Sequence, residues 1–359
     1  MERDLTSGSV FRNVIYFSLP YFLSYFLQTL YGMADLFIVG QFDGVASTTA
    51  VSIGSQVMHM LTVMIVGLAM GATVSIGQSI GAGDKKRASV FVGNTVILFM
   101  GISLVLAVLL LFFVKPAVAV MSTPAEAVSG TAAYLTICFL GIPFITAYNV
   151  ISSIFRGLGD SKSPMYFIAV ACAVNIILDY LFIGFFHLGA SVAALGTTLS
   201  QACSVLFALI AIKRKQTGLS LSGDCFRPQK KTLSKILNIG IPVALQDGFI
   251  QIAFIVITII ANRRGLSAAA AVGIVEKMIS FLFLVPSSML STVSALCAQN
   301  IGAGKEDRAR ETLRYAIMIA AGFGILVSIL IQFIAEPAVG LFTTDATVRM
   351  MGGQYIRGY

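Results

Sequence analysis

Long apolar stretches separated by short polar ones dominate the chain, with runs at about 14–39, 46–77, 90–114, 131–155, 164–186, 190–212, 235–261, 267–298 and 313–335 and a tenth beginning near 346. Crossing a bilayer core takes roughly 20 consecutive apolar residues in helical form, and the complete runs reach that length. The pattern predicts an all-α integral membrane protein, because a helix satisfies its own backbone polar groups where no water is available. Composition closes off the soluble alternative: 57% of residues are apolar and only 11% charged, against about a quarter charged in a typical soluble domain. The first run is longer than a signal-peptide core of about 7–15 residues, so it reads as a retained span.

Charge sets the expected orientation. The amino terminus and the even-numbered connections hold eighteen Lys and Arg, from Arg3 and Arg12 through Lys85, Lys86, Arg87, Lys162, Lys213, Arg214 and Lys215 to Lys305 and Arg314, whereas the odd-numbered connections hold Lys115, Arg263 and Arg264. Such a bias places the amino terminus in the cytoplasm, with the chain in the plasma (inner) membrane. On a chain this apolar, the net charge of +8 reports basic loops and not a nucleic-acid partner. The five cysteines, most of them inside apolar runs, predict neither a disulfide framework nor a CxxC metal site.

The sequence repeats itself. QSIGAGDKKRA (78–88) recurs as QNIGAGKEDRA (299–309), a displacement of 221 residues; KPAV (115–118) then meets EPAV (336–339), Tyr134 meets Tyr355, and Pro20 meets Pro242 at 222. Six spans precede the second unit, so both units start on the same face and are related by an axis along the membrane normal. The expected organisation is an amino-terminal six-helix lobe (1–212), a basic cytoplasmic linker (213–234) and a carboxy-terminal lobe (235–359). Measured against the first unit the second lacks its last spans, so the expectation is about 9 to 10 spans present of 12 and a chain truncated at its carboxy terminus.

Acidic residues at bilayer depth are costly and mark candidate sites. At about 1.5 Å per residue, Asp35, Asp179 and Thr197 fall in one layer roughly 7–10 Å inside the exterior ends of the first, fifth and sixth spans. Asn175 lies four residues before Asp179, on the same helical face. Two carboxylates, an amide oxygen and a hydroxyl form a candidate hard-oxygen cage for a small cation such as Na⁺, or a proton-sharing pair. An interhelical hydrogen-bond cluster holding the lobe together is the competing reading. Asp247 in the seventh span is a secondary candidate, with Gln56 and Met33, and the adjacent Glu276 and Lys277 in the eighth read equally as substrate contacts or as structural partners. His59, one turn from Gln56, reads as a satisfied packing residue, and His187 in an exterior loop carries no assigned role. The glycine-rich loops lack the G-x-x-x-x-G-K-[ST] pattern and read as turns.

Pro20, Asp35, Val39 and Gly40 in the first span, the duplicated Q-x-x-G-A-G loops and RGLGDSKSP (156–164) together resemble the multidrug and toxic compound extrusion (MATE) family of cation-coupled exporters. The resemblance covers the whole chain. It implies antiport of amphipathic, often cationic, compounds against H⁺ or Na⁺ by alternating access, with no cofactor, no enzymatic step and a monomeric transporter in lipid. It also implies that the positions of Asp35, Asn175, Asp179 and Thr197 form the cation site, joined by the backbone carbonyl of Ala193, and that the first span bends at Pro20. Two other readings remain at this point. A lipid-linked sugar flippase of the same superfamily would need cavity cations for a diphosphate. A membrane-embedded prenyltransferase would use Asn175 and Asp179 as part of a diphosphate motif.

Overall fold

The computed structural model describes residues 5–186, 188–189, 191–214, 219–343 and 345–358; Arg3, His187, Lys215 and Tyr359 lie outside them. The described residues are helical almost throughout. Seven helices carry the first repeat: α1 (Val10–Phe42), α2 (Val45–Gly81), α3 (Lys85–Phe112), α4 (Val114–Val120), α5 (Val128–Gly157), α6 (Lys162–Asp179) and α7 (Ser191–Arg214). Five follow: α8 (Lys230–Arg263), α9 (Leu266–Leu282), α10 (Leu284–Gly302), α11 (Glu306–Gly340) and α12 (Ala346–Gly358). Among the described residues nine helical segments are long and apolar enough to cross a membrane. This is a multi-pass helical membrane protein.

Two departures from the hydropathy pattern have local causes. The run 267–298 is a single stretch by hydropathy, and its helix is locally distorted at Phe283, between α9 and α10, ahead of Pro286, while Phe283 N–H still bonds the Ile279 carbonyl; a proline removes a backbone donor and crowds the preceding turn. The fifth run extends α6 by a π-helical turn, Tyr180–Phe185, that begins directly after Asp179.

Both Q-x-I-G-A-G loops build the same helix stop. Gly83 and Gly304 take φ of 73° and 70°, the left-handed conformation open to a residue without Cβ. Asp84 N–H bonds the Ser79 carbonyl and Gly83 N–H that of Ile80; Lys305 to Asn300 and Gly304 to Ile301 repeat the pattern, a Schellman stop in each copy. The repeat read from letters is thus a repeat of backbone geometry.

The two halves pack directly on each other at this end. A Cβ on Gly81 would overlap the Gln299 carbonyl, and one on Gly302 the Gln78 carbonyl, so the copies contact each other reciprocally. Further along α2, Gly71 sits against the Ile236 carbonyl and Gly240 against that of Leu68. These contacts bring α2 backbone to backbone with α8 and α10.

Helix α1 belongs to two cores. Its first half (Val10, Val14, Phe17, Tyr21) packs with Met289, Leu296 and Ala316 of α10 and α11, and Tyr25 shares a 2.7 Å hydrogen bond with Ser291. Its last turns (Ile38, Val39) join Val51, Phe139, Ile183 and Ala193 of the first repeat. Pro20 lies inside the continuous helix, within the part that packs on α10 and α11, and its carbonyl accepts from Ser24 Oγ at 2.8 Å.

The connection between the halves is docked along its described second part. Asn94 of α3 donates to the carbonyls of Cys225 and Arg227, both at 3.2 Å, and accepts from Gln229 N–H at 2.7 Å. Among the described residues the cysteines are unpaired.

Candidate cation site

Three helices converge where the sequence places its polar layer. Asp35 projects from α1, Asn175 and Asp179 from successive turns of α6, and Ala193 and Thr197 from successive turns of α7. Asp35 is 3% exposed and Asn175, Asp179 and Ala193 are fully buried, with Thr197 partly so. Apolar side chains seal the layer: Ile38, Val39, Ile183, Ala193 and Ala194 belong to one contiguous core beside it.

The side chains meet. Thr197 Oγ1 lies 3.3 Å from Asp35 Oδ2 and 3.1 Å from the Ala193 carbonyl; with one hydroxyl hydrogen it fully satisfies only one acceptor. Asn175 Nδ2 reaches Asp179 Oδ2 at 3.5 Å, a long bond. Asp35 and Asp179 are within hydrogen-bonding reach of one another, and neither has a Lys, Arg or His within 4.0 Å among the described residues.

Three oxygens are left over. Asp35 Oδ1, Asn175 Oδ1 and Asp179 Oδ1 are buried with no hydrogen-bond partner, although an unpartnered buried acceptor costs about 1–3 kcal/mol and more when charged. The set is two carboxylates with an amide and a hydroxyl. No cluster of three or more His, Cys, Asp and Glu able to hold a metal ion occurs among the described residues. Hard, all-oxygen ligation with few negative charges suits a small alkali cation, and the paired carboxylates equally suit a proton.

Gly196 is a part of this site that the polar pattern does not mark. It faces Asp179 from α7, and a Cβ there would occupy the position of Asp179 Oδ1. A glycine one residue before a candidate ligand, on a neighbouring span, is the signal that points to it.

The secondary candidates are elsewhere. Asp247 is half-buried on α8 against Gly67 of α2. Glu276 on α9 accepts a 2.8 Å hydrogen bond from Thr258 of α8, and the adjacent Lys277 makes no ion pair with it, as expected for neighbours pointing about 100° apart. Gln56 and Met33 are partly exposed and touch none of the five converging residues through a hydrogen bond. His59 corrects the packing-residue expectation: it is exposed, has no hydrogen bond to Gln56, and lies within electrostatic reach of Lys277.

A tandem repeat of membrane-crossing helices with buried carboxylates between three of them defines a polytopic transporter and not an enzyme. The chain belongs to the MatE family, whose model matches residues 20–181 and 242–359. It is 29% identical over 344 residues to the probable multidrug resistance protein YoeA of Bacillus subtilis, covering 94% of this chain and 74% of that protein. Over 341 residues it is 29% identical to the multidrug export protein MepA of Staphylococcus aureus, covering 94% and 75%. An outward-facing structure of a multidrug resistance MATE family transporter of the MOP superfamily superimposes with a TM-score of 0.86 at 25% identity, covering 99% of this chain and 78% of the other.

Proposed function

We propose that this protein exports small amphipathic, often cationic, organic molecules across the plasma membrane, driven by inward movement of H⁺ or Na⁺ through the Asp35, Asn175, Asp179, Thr197 and Ala193 site. The observation that carries the reading is the trio of unpartnered buried oxygens from α1 and α6, two of them from carboxylates, with no cationic side chain paired to either among the described residues. Two buried anions this close repel each other strongly, and a bound cation or proton relieves that repulsion. The relatives named for multidrug resistance and export support the substrate class.

Coupling follows from α1. Its amino-terminal half packs with α10 and α11 and its last turns with the first repeat, so a change in charge at Asp35 acts on the helix that joins both cores. Pro20 removes one backbone hydrogen bond within the amino-terminal half and lowers the cost of bending there. The glycine contacts between the repeats lie at the basic end, which positive-inside bias assigns to the cytoplasm. The described state is then closed to the cytoplasm, in keeping with its likeness to the outward-facing transporter. The lobes 1–212 and 235–359 would rock about this seam, with 213–234 as their connection and a monomer as the working unit.

The flippase reading requires cations in the cavity of the first repeat, and the site has none. A prenyltransferase is set aside by the family assignment.

The test is ethidium efflux in inverted vesicles carrying the chain, with a pH gradient and a Na⁺ gradient imposed separately. The expected result is gradient-dependent transport that Asp35→Asn abolishes while membrane insertion persists. Transport that survives this substitution unchanged would remove the site from the mechanism.

A further inference from the structure

On the basic end, away from the buried carboxylates, a cleft of about 400 Å³ opens between the first Q-x-I-G-A-G loop with α3 and the start of α8. Its walls carry four cations, Lys86 and Arg87 from one repeat and Lys231 and Lys235 from the other, against a single carboxylate, Asp84. That carboxylate is partly committed, because Asp84 Oδ1 caps α3 by accepting from Arg87 N–H at 2.8 Å. None of the four cations has an ion pair within 4.0 Å among the described residues.

The cleft is built, not merely lined. Arg87 and Lys235 both lie against the Phe91 ring, at 5.8 and 5.7 Å from its centroid, so one aromatic face fixes two like charges that would otherwise separate. Lys235 Nζ also donates to Gln78 Oε1 at 2.7 Å, across the two repeats. The α8 wall is tied down by the bond from Gln229 N–H to Asn94. Uncompensated cations held in one concave site require an anion with several acceptor oxygens, and guanidinium with ammonium groups is the donor set that suits phosphate.

The second copy of the loop is an internal contrast. At the 221-residue displacement Lys85 and Lys86 become Glu306 and Asp307. Those acids lie near Arg310, while Lys305 and Arg308 donate to the carbonyls of Thr6, Ser7 and Gly8. The same loop geometry therefore carries an anion-demanding surface in one copy only.

We propose that the Lys86, Arg87, Lys231 and Lys235 cleft binds a phosphate group, either on the headgroup of an anionic phospholipid of the adjoining leaflet or as a free phosphate. Cations between transmembrane helices at the membrane surface are suited to anionic headgroups. Because the cations come from both repeats, the bound anion stabilises the seam between them. The cleft shares no residue with the Asp35, Asn175, Asp179, Thr197 and Ala193 site, and its occupancy is read without transport.

The purified chain in neutral detergent is titrated with dioctanoyl phosphatidylglycerol, with zwitterionic dioctanoyl phosphatidylcholine, and with inorganic phosphate or chloride at matched ionic strength, following the thermal unfolding midpoint. A saturable rise with phosphatidylglycerol alone identifies the lipid headgroup; a saturable rise with inorganic phosphate identifies the free anion. In the Arg87→Gln, Lys235→Gln double variant the apparent affinity falls about tenfold or more, as expected for lost charge-assisted hydrogen bonds. Should that variant fail to fold, Lys86→Gln with Lys231→Gln removes two exposed cations and gives a smaller loss, while Arg214→Gln on the same face changes nothing. Equal responses to phosphate and chloride with no effect of phosphatidylglycerol, or undiminished affinity in the folded variants, overturn the proposal.

Discussion

Each repeat carries a carboxylate hydrogen-bonded to a threonine, and the two arrangements differ in nearly everything else. In the first repeat Asp35 and Asp179 are sealed among apolar side chains, take one long bond each, from Thr197 and from Asn175, and with Asn175 leave three oxygens unpartnered. In the second repeat Glu276 is half-buried, takes a short bond from Thr258, and has a lysine next to it in sequence. Nor are they symmetry mates. At displacements of 221 and 222, Asp35 falls on Val256 and Ile257, and Glu276 on Ser55 and Gly54. The duplication preserved the loops and the helix stops, whereas the buried charge belongs to one copy. A carboxylate is poised to take up a cation where its acceptors are in excess and water is excluded; half-buried beside a good donor, it already has its partner.

The substitution expected to do most damage is Asp35→Asn, which removes one of the two charges and should reduce gradient-driven efflux to background in vesicles, with membrane insertion intact. Next is Gly196→Ala. The new methyl would displace Asp179 Oδ1, and overpacking of this kind costs roughly 1–3 kcal/mol, so efflux should fall about tenfold or more while the protein still extracts as a monodisperse species. Ordinary transport by this variant would mean that the close approach of α7 to Asp179 has no role.

Thr197→Val keeps the shape and deletes the hydroxyl. Losing one hydrogen bond or ligand of about 1 kcal/mol should weaken apparent cation affinity about fivefold, measured as the shift in Na⁺ or H⁺ dependence of efflux. The smallest change is expected from Glu276→Gln, since an amide oxygen can still accept from Thr258; cation dependence should move less than about twofold. If Glu276→Gln proved as damaging as Asp35→Asn, the contrast between the two repeats would collapse.

Much of the site can be read along the chain because membrane burial makes polar letters conspicuous. Asp35, Asn175, Asp179 and Thr197 stand out within apolar runs, and helix rise places three of them at one depth. Gly196 is different: its contribution is empty space beside Asp179, and a glycine inside a span is unremarkable until the neighbouring helix is known. His59 shows the reverse error, since one-turn spacing to Gln56 suggests a bond that the exposed side chain does not make.

By itself the sequence determined the spans, the tandem repeat and the charged face, because hydrophobic length, repeated letters and loop charge are local quantities. Tertiary structure alone decided that α1 is shared between two cores, that Gly81 and Gly302 meet carbonyls of the opposite copy, and that four loop cations gather around one cleft. Those outcomes depend on which helix faces which across long stretches of chain, and no periodicity within a span encodes the rotation of its neighbour.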